Sequence, residues 1–121
     1  MIPIKSEREI DAMRTACRAA AEVLDKVEAL VTPGMATRDL DEACAQYIAE
    51  AGAKSAFLGY RKFPGQLCIS VNEEVVHGVP SLRRVLQDGD IVSLDVTVAY
   101  NGYIGDNALT LTKQTWQRII I

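Results

Sequence analysis

The fold turns on one stretch, Ile91-Val-Ser-Leu-Asp95-Val-Thr-Val-Ala-Tyr100-Asn-Gly-Tyr-Ile-Gly105-Asp-Asn-Ala-Leu-Thr-Leu111. Asn101-Gly102 between two β-rich runs is the signature of a two-residue type I′ hairpin turn. With the turn placed there, Tyr100 faces Tyr103, Thr97 faces Asp106 and Asp95 faces Ala108. Cross-strand partners project to the same face, so Asp95 and Asp106 are diagonal neighbours about 7–8 Å apart along the backbone. The alternation supports this register. Val92, Leu94, Val96 and Val98 form a wholly apolar face, while Ser93, Asp95 and Thr97 lie on the other. Two readings of the aspartates stay open at this point. They are either solvated residues of an amphipathic hairpin or a pair converging on one hard divalent cation, which prefers oxygen ligands. Aspartate is depleted in strands, which leans toward a site.

Size and charge bound the rest. At 121 residues, 49% apolar and net charge −3, the sequence fits one domain with a modest core, spanning 1–121. No basic stripe beyond Arg61-Lys62 and Arg83-Arg84 suggests a nucleic-acid surface, and no apolar run is long enough for a membrane span. The N-terminus lacks the apolar region of a signal peptide. Cys17, Cys44 and Cys68 are scattered and odd in number, and read as buried thiols in a reducing, cytoplasmic setting.

Ser6 and Glu9 form a capping box that opens a helix of about 25 residues, with Ile10, Met13, Cys17, Ala20, Leu24, Val27 and Val31 as its apolar stripe. Thr32-Pro33-Gly34 stops it. Thr37 reads as the cap of a second helix, with Asp39, Asp41 and Glu42 in its positive first turn and Leu40, Ala43, Cys44, Tyr47 and Ile48 facing inward. Ser55 to Leu58 and Leu67 to Val71 read as short strands, separated by a loop from Tyr60 to Gly65. The order helix, helix, antiparallel strands is an α+β pattern in which two long helices cover an antiparallel sheet ending in a hairpin. His77, the lone histidine, falls in Val75-Val-His-Gly-Val-Pro80, an irregular segment where it is either a surface residue or a proton carrier. Glu73 and Glu74 read as solvated. A triad using Ser70 or Ser93 lacks the GxSxG elbow and is set aside.

Taken together, several segments resemble the N-terminal half of the type I methionine aminopeptidases. They are Ile4 to Arg14, Val31 to Asp41, Gly59-Tyr60, Phe63-Pro64, Cys68 to Pro80 and Gly89 to Asp95, in order and in spacing. The resemblance runs from about residue 3 to about residue 112, leaves 113–121 as an unlike tail, and implies half of a pita-bread fold of the creatinase/aminopeptidase kind. It implies that Asp95 and Asp106 are metal ligands, with Co, Mn, Fe or Zn as the divalent ion. It implies that His77 is the catalytic histidine that contacts the substrate backbone, and that Tyr60, Phe63, Cys68 and His77 bind substrate. The implied reaction is metal-assisted removal of the initiator methionine from a peptide N-terminus. The family's remaining ligands, a histidine and a pair of glutamates, belong to its second half, and no second histidine exists here. Lys62 stands where the family carries a small residue. These departures predict weak or absent metal binding and activity in this chain alone. They leave three alternatives: half of an enzyme that needs its missing half, a non-catalytic half-fold that pairs with itself, and a binding module. A homo-oligomer or the missing half is the expected partner, and neither nucleic acid nor membrane is.

Overall fold

The computed structural model describes residues 1–112 and, as backbone alone, 117–119. The expectation for the 113–121 tail therefore falls outside the described residues, apart from that strand backbone. Helix α1 (Glu7–Leu30) begins at the expected capping box. The Ser6 hydroxyl accepts from the Glu9 amide at 3.3 Å, and the Glu9 carboxylate accepts from the Ser6 amide at 2.7 Å. Two otherwise orphaned donors are thus satisfied at once. Helix α2 covers Thr37–Glu50. The strands are β1 (Lys54–Ser55), β2 (Cys68–Val71), β3 (Ile91–Tyr100), β4 (Tyr103–Thr112) and β5 (Gln117–Ile119).

The hairpin carries the sheet. Asn101 and Gly102 adopt φ of 48° and 83°, as a type I′ turn requires at both central positions. The β3–β4 register is the one derived from the turn: Tyr100 opposite Tyr103, Thr97 opposite Asp106 and Asp95 opposite Ala108. All pairings are antiparallel, in the order β1-β3-β4-β5. The outer edge of β3 is shared, with β2 alongside residues 92–95 and β1 alongside 98–99. β1 is shorter than the expected 55–58 strand because the Ser55 hydroxyl accepts from the Phe57 and Leu58 amides and turns the chain away.

Both helices lie on the apolar face of this sheet. Val92, Leu94, Val96 and Val98 are fully buried there with Ile69, Val71, Leu109 and Leu111. The stripe of α1 differs from the expected one at its N-terminal end. Ala16, Ala19, Ala20, Val23, Leu24 and Val27 are buried, whereas Ile10 and Cys17 are exposed. The cause lies in Gly105 of β4, where an added Cβ would overlap the Ala16 carbonyl. The helix approaches the strand backbone so closely that alanines, not larger side chains, make the contact. Of the three thiols expected to be buried, Cys17 is therefore on the surface, and Cys44 and Cys68 are inside.

Thr37 is likewise not the helix cap. Ala36 occupies that position, and the Asp39 carboxylate accepts its amide at 3.1 Å. Thr37 is the first helical residue, and its buried hydroxyl binds the backbone of Ser81 instead. Gly105→Ala is expected to destabilise the fold by about 1–3 kcal/mol through overpacking, measured by denaturant unfolding. A change within error would mean that α1 does not press on β4 as described.

Candidate active site

The polar face of the hairpin carries the acidic pair. Asp95 and Asp106 sit one register step apart on the face opposite the helices. Asp106 accepts a 2.8 Å hydrogen bond from the Thr97 hydroxyl directly across the ladder. Asp95 is held differently. Its Oδ1 is buried and has no hydrogen-bond partner among the described residues. Burial raises the Asp95 carboxyl from the ordinary aspartate value to about 6, helped by the neighbouring Asp106 carboxylate and opposed by the charge of His77. A buried acceptor left unpaired beside a second carboxylate is a position that a hard cation satisfies. The donors present therefore fit a divalent metal, although no group of three or more His, Cys, Asp and Glu residues able to hold one occurs among the described residues.

Two loops complete the site. The first, between β1 and β2, makes a single 3-10 turn at Tyr60–Lys62. The second, between β2 and β3, carries His77. A cavity of about 410 Å³ is lined by Asp95, Asp106, Thr97, His77, Tyr60 and Phe57. An adjoining, more apolar cavity of about 270 Å³ is lined by Tyr60, Phe63, Cys68, Phe57, Arg61 and His77. Phe57, Tyr60 and His77 border both. Every residue singled out from the sequence as a ligand, catalytic group or substrate contact thus lies around one of two neighbouring hollows. Phe57 was not singled out, because nothing in Ser55 to Leu58 distinguishes a wall residue from an edge strand. Its ring packs on Phe63 with centroids 5.8 Å apart.

The His77 loop owes its course to one glycine. The Ile69 amide donates to the Gly78 carbonyl at 3.0 Å, and the Gly78 amide donates to the Ser70 hydroxyl at 3.1 Å. A Cβ at Gly78 would overlap the Ile69 carbonyl, so only glycine lets the loop run this close to β2. His77 itself takes the left-handed conformation, φ 59°. Arg61 and Lys62 do so as well, at 48° and 65°. A β-carbon disfavours that region, which gives a physical reason why Lys62 is an unusual choice there. The Arg61 guanidinium sits 5.3 Å from the Tyr60 ring centroid.

The remaining candidates have structural partners. Ser70 serves Gly78, and the Ser93 hydroxyl shares a 2.9 Å hydrogen bond with Thr110. Glu74 accepts from the Val71 amide, and exposed Glu73 lies 3.7 Å from Arg84. Burial, followed by the charges of Asp95, Asp106 and Asp41, pushes the Cys68 thiol up to about 12, so it acts as a neutral wall.

With this geometry in view, the comparisons with known proteins are specific. Residues 11–120 match the model of metallopeptidase family M24, and the chain belongs to that family. It is 49% identical over 108 residues to the methionine aminopeptidase of Escherichia coli K12, covering 88% of this chain and 41% of that protein. It is 44% identical over 116 residues to the Aquifex aeolicus methionine aminopeptidase, covering 91% and 45%. The crystal structure of the Thermotoga maritima methionine aminopeptidase superposes with a TM-score of 0.88 at 40% identity, over 93% of this chain and 45% of that one. The prolidase of Pyrococcus furiosus, at 22% identity and a TM-score of 0.76, shares the fold. The architecture is thus part of a pita-bread fold, similar to the N-terminal part of a methionine aminopeptidase, and the chain spans about 41–45% of the curated relatives it matches. No helix among the described residues is long and apolar enough to cross a membrane.

The raised Asp95 value gives a pH dependence with a definite sign. A carboxyl whose folded value lies above its unfolded one stabilises the fold while protonated, below about pH 4, and that contribution is lost as pH rises through about 6. In chelator, the stability advantage of Asp95→Asn over the parent is therefore expected to grow between pH 4 and 6 and to level off above. Thermal melts across that range measure it. An advantage independent of pH, or a variant less stable than the parent at pH 7, would contradict the description of Asp95.

Proposed function

We propose that this chain carries the first half of a methionine aminopeptidase site. Asp95 and Asp106 would hold a divalent metal, with Co, Mn, Fe and Zn as the candidates. His77 would hydrogen-bond the substrate backbone. Tyr60, Phe63 and Cys68 would receive the apolar side chain of the first residue, the initiator methionine of a peptide. A divalent cation supplies a Lewis acid and an acidified water at such a site. The protein's share is to fix the two carboxylates on a rigid hairpin and to set the histidine at the border of the acidic and the apolar hollow. The observation that carries the proposal is that Asp95, one of whose oxygens is buried without a partner, lines the same hollow as Asp106 and His77.

Two carboxylates leave a divalent ion largely water-ligated, so binding is expected to be weak. Millimolar Mn²⁺ or Co²⁺ should raise the melting temperature of the parent, and raise it less in Asp95→Asn and Asp106→Asn. An equal shift in all three proteins would remove both residues from the ligand set. This chain alone is expected to release little or no methionine from a Met-Ala peptide with those metals. Release at the rate of a full-length methionine aminopeptidase, lost in Asp106→Ala, would show that the missing half is dispensable.

A second reading, a half-fold that pairs with its own copy, is favoured by one observation. In the His77 loop, Val75, Val76 and Leu82 are 84%, 63% and 71% exposed, apolar side chains that a second copy would cover. Light scattering at high micromolar concentration is expected to show a dimer, and a clean monomer would contradict this second reading.

A further inference from the structure

Asp41 lies one turn into α2 and is 4% exposed, the most deeply buried charged residue among those described. A charge so placed is costly unless its oxygens are occupied. They are. Oδ1 accepts from the Gln66 amide at 2.6 Å and from the Leu67 amide at 3.3 Å. Oδ2 accepts from the Arg38 guanidinium at 3.3 Å. The two amides belong to the chain that leads from the aromatic pocket loop into Cys68. Just before them, a Cβ on Gly65 would press on Asp41 Oδ1 at 3.1 Å and on Pro80 at 2.9 Å. Pro80 lies three residues after His77 in its loop. The same turn of α2 holds that loop as well. The Ser81 amide donates to the Thr37 hydroxyl at 2.8 Å, and that hydroxyl donates back to the Ser81 carbonyl at 3.2 Å. The Arg38 amide also donates to the Ser81 carbonyl, at 3.2 Å.

The two loops that shape the site therefore meet at one helical turn on the far side of the pocket. Neither loop has a β-ladder of its own to fix Tyr60, Phe63 or His77. We propose that Asp41 is a positioning residue for the substrate pocket, holding the 63–67 segment that leads into β2 so that Phe63 faces the same hollow as His77, with Thr37 anchoring the opposite wall. The inference rests on the proposed reading of that hollow as the substrate site, but its test uses neither metal, peptide nor turnover. The plain alternative is that Asp41 only strengthens the start of α2. In that case its loss loosens the helix and the pocket alike.

Two buried thiols separate these cases. Cys44 lies inside α2 and reports opening of the helix, while Cys68 reports opening of the pocket wall. In a Cys17→Ser background, which removes the exposed thiol, iodoacetamide labelling under native conditions is followed by peptide mass analysis. Asp41→Ala is expected to speed labelling of Cys68 by about tenfold or more, with Cys44 within about twofold of the parent, as for a local opening. Asp41→Asn, which keeps an acceptor but removes the charge, should stay close to the parent. Gly65→Ala should speed Cys68 selectively by displacing the same segment, and it decides the matter if Asp41→Ala fails to fold. Equal acceleration of both cysteines, no acceleration of Cys68, or an Asp41→Asn variant as fast as Asp41→Ala would overturn the proposal. Loss of the metal effect on melting would leave this result untouched, and the reverse also holds.

Discussion

The structure depends on the register of one hairpin of two ten-residue strands. Side chains in a strand alternate, so a slip of one residue between β3 and β4 would exchange every inward and outward position. Val92, Leu94, Val96 and Val98 must face the helices, and burying each is worth about 1.5–3 kcal/mol. That requirement places Asp95 and Asp106 together on the opposite face. Their mutual repulsion at such a site is on the order of 1–4 kcal/mol even at 4 Å. Core burial therefore outweighs it, and the fold holds two carboxylates where they would not go by themselves. The raised Asp95 value and its unpartnered oxygen are the visible residue of that conflict.

What surrounds the pair is less regular. The floor of the site is sheet, and its walls are loops with left-handed residues at Arg61, Lys62 and His77. Such walls are held by contacts outside the site. Gly78 keeps the histidine loop against β2, and the first turn of α2 fixes both loops from behind. Rigid strands thus set the position of the acidic groups, while bridging hydrogen bonds hold the loops that wall the hollows.

The sequence made legible whatever local chemistry decides. Asn101-Gly102 specified its turn, the turn specified the register, and the register brought Asp95 and Asp106 together without any knowledge of the remaining chain. Ser6 with Glu9 marked the start of α1 for the same reason. Features set by distant contacts were not legible. The stripe of α1 shifted because Gly105, almost ninety positions away, admits Ala16 at close range. Thr37 looked like a cap but is claimed by Ser81, and Asp41 looked like an ordinary first-turn charge but is claimed by Gln66 and Leu67. Phe57 carries no pattern that marks it as a wall of the site. The grouping of Tyr60, Phe63, Cys68 and His77 came from resemblance to a family, not from spacing, and the fold assembles them around neighbouring hollows.

The central claim is that the hairpin register makes Asp95 and Asp106 converge on one point. Anomalous diffraction from crystals soaked in Mn²⁺ tests it most directly. The account predicts a single strong peak between the two side chains, within about 2.0–2.6 Å of an oxygen of each, as hard cations bind carboxylates. A peak held by other residues, or separate peaks on two carboxylates that point apart, would contradict it.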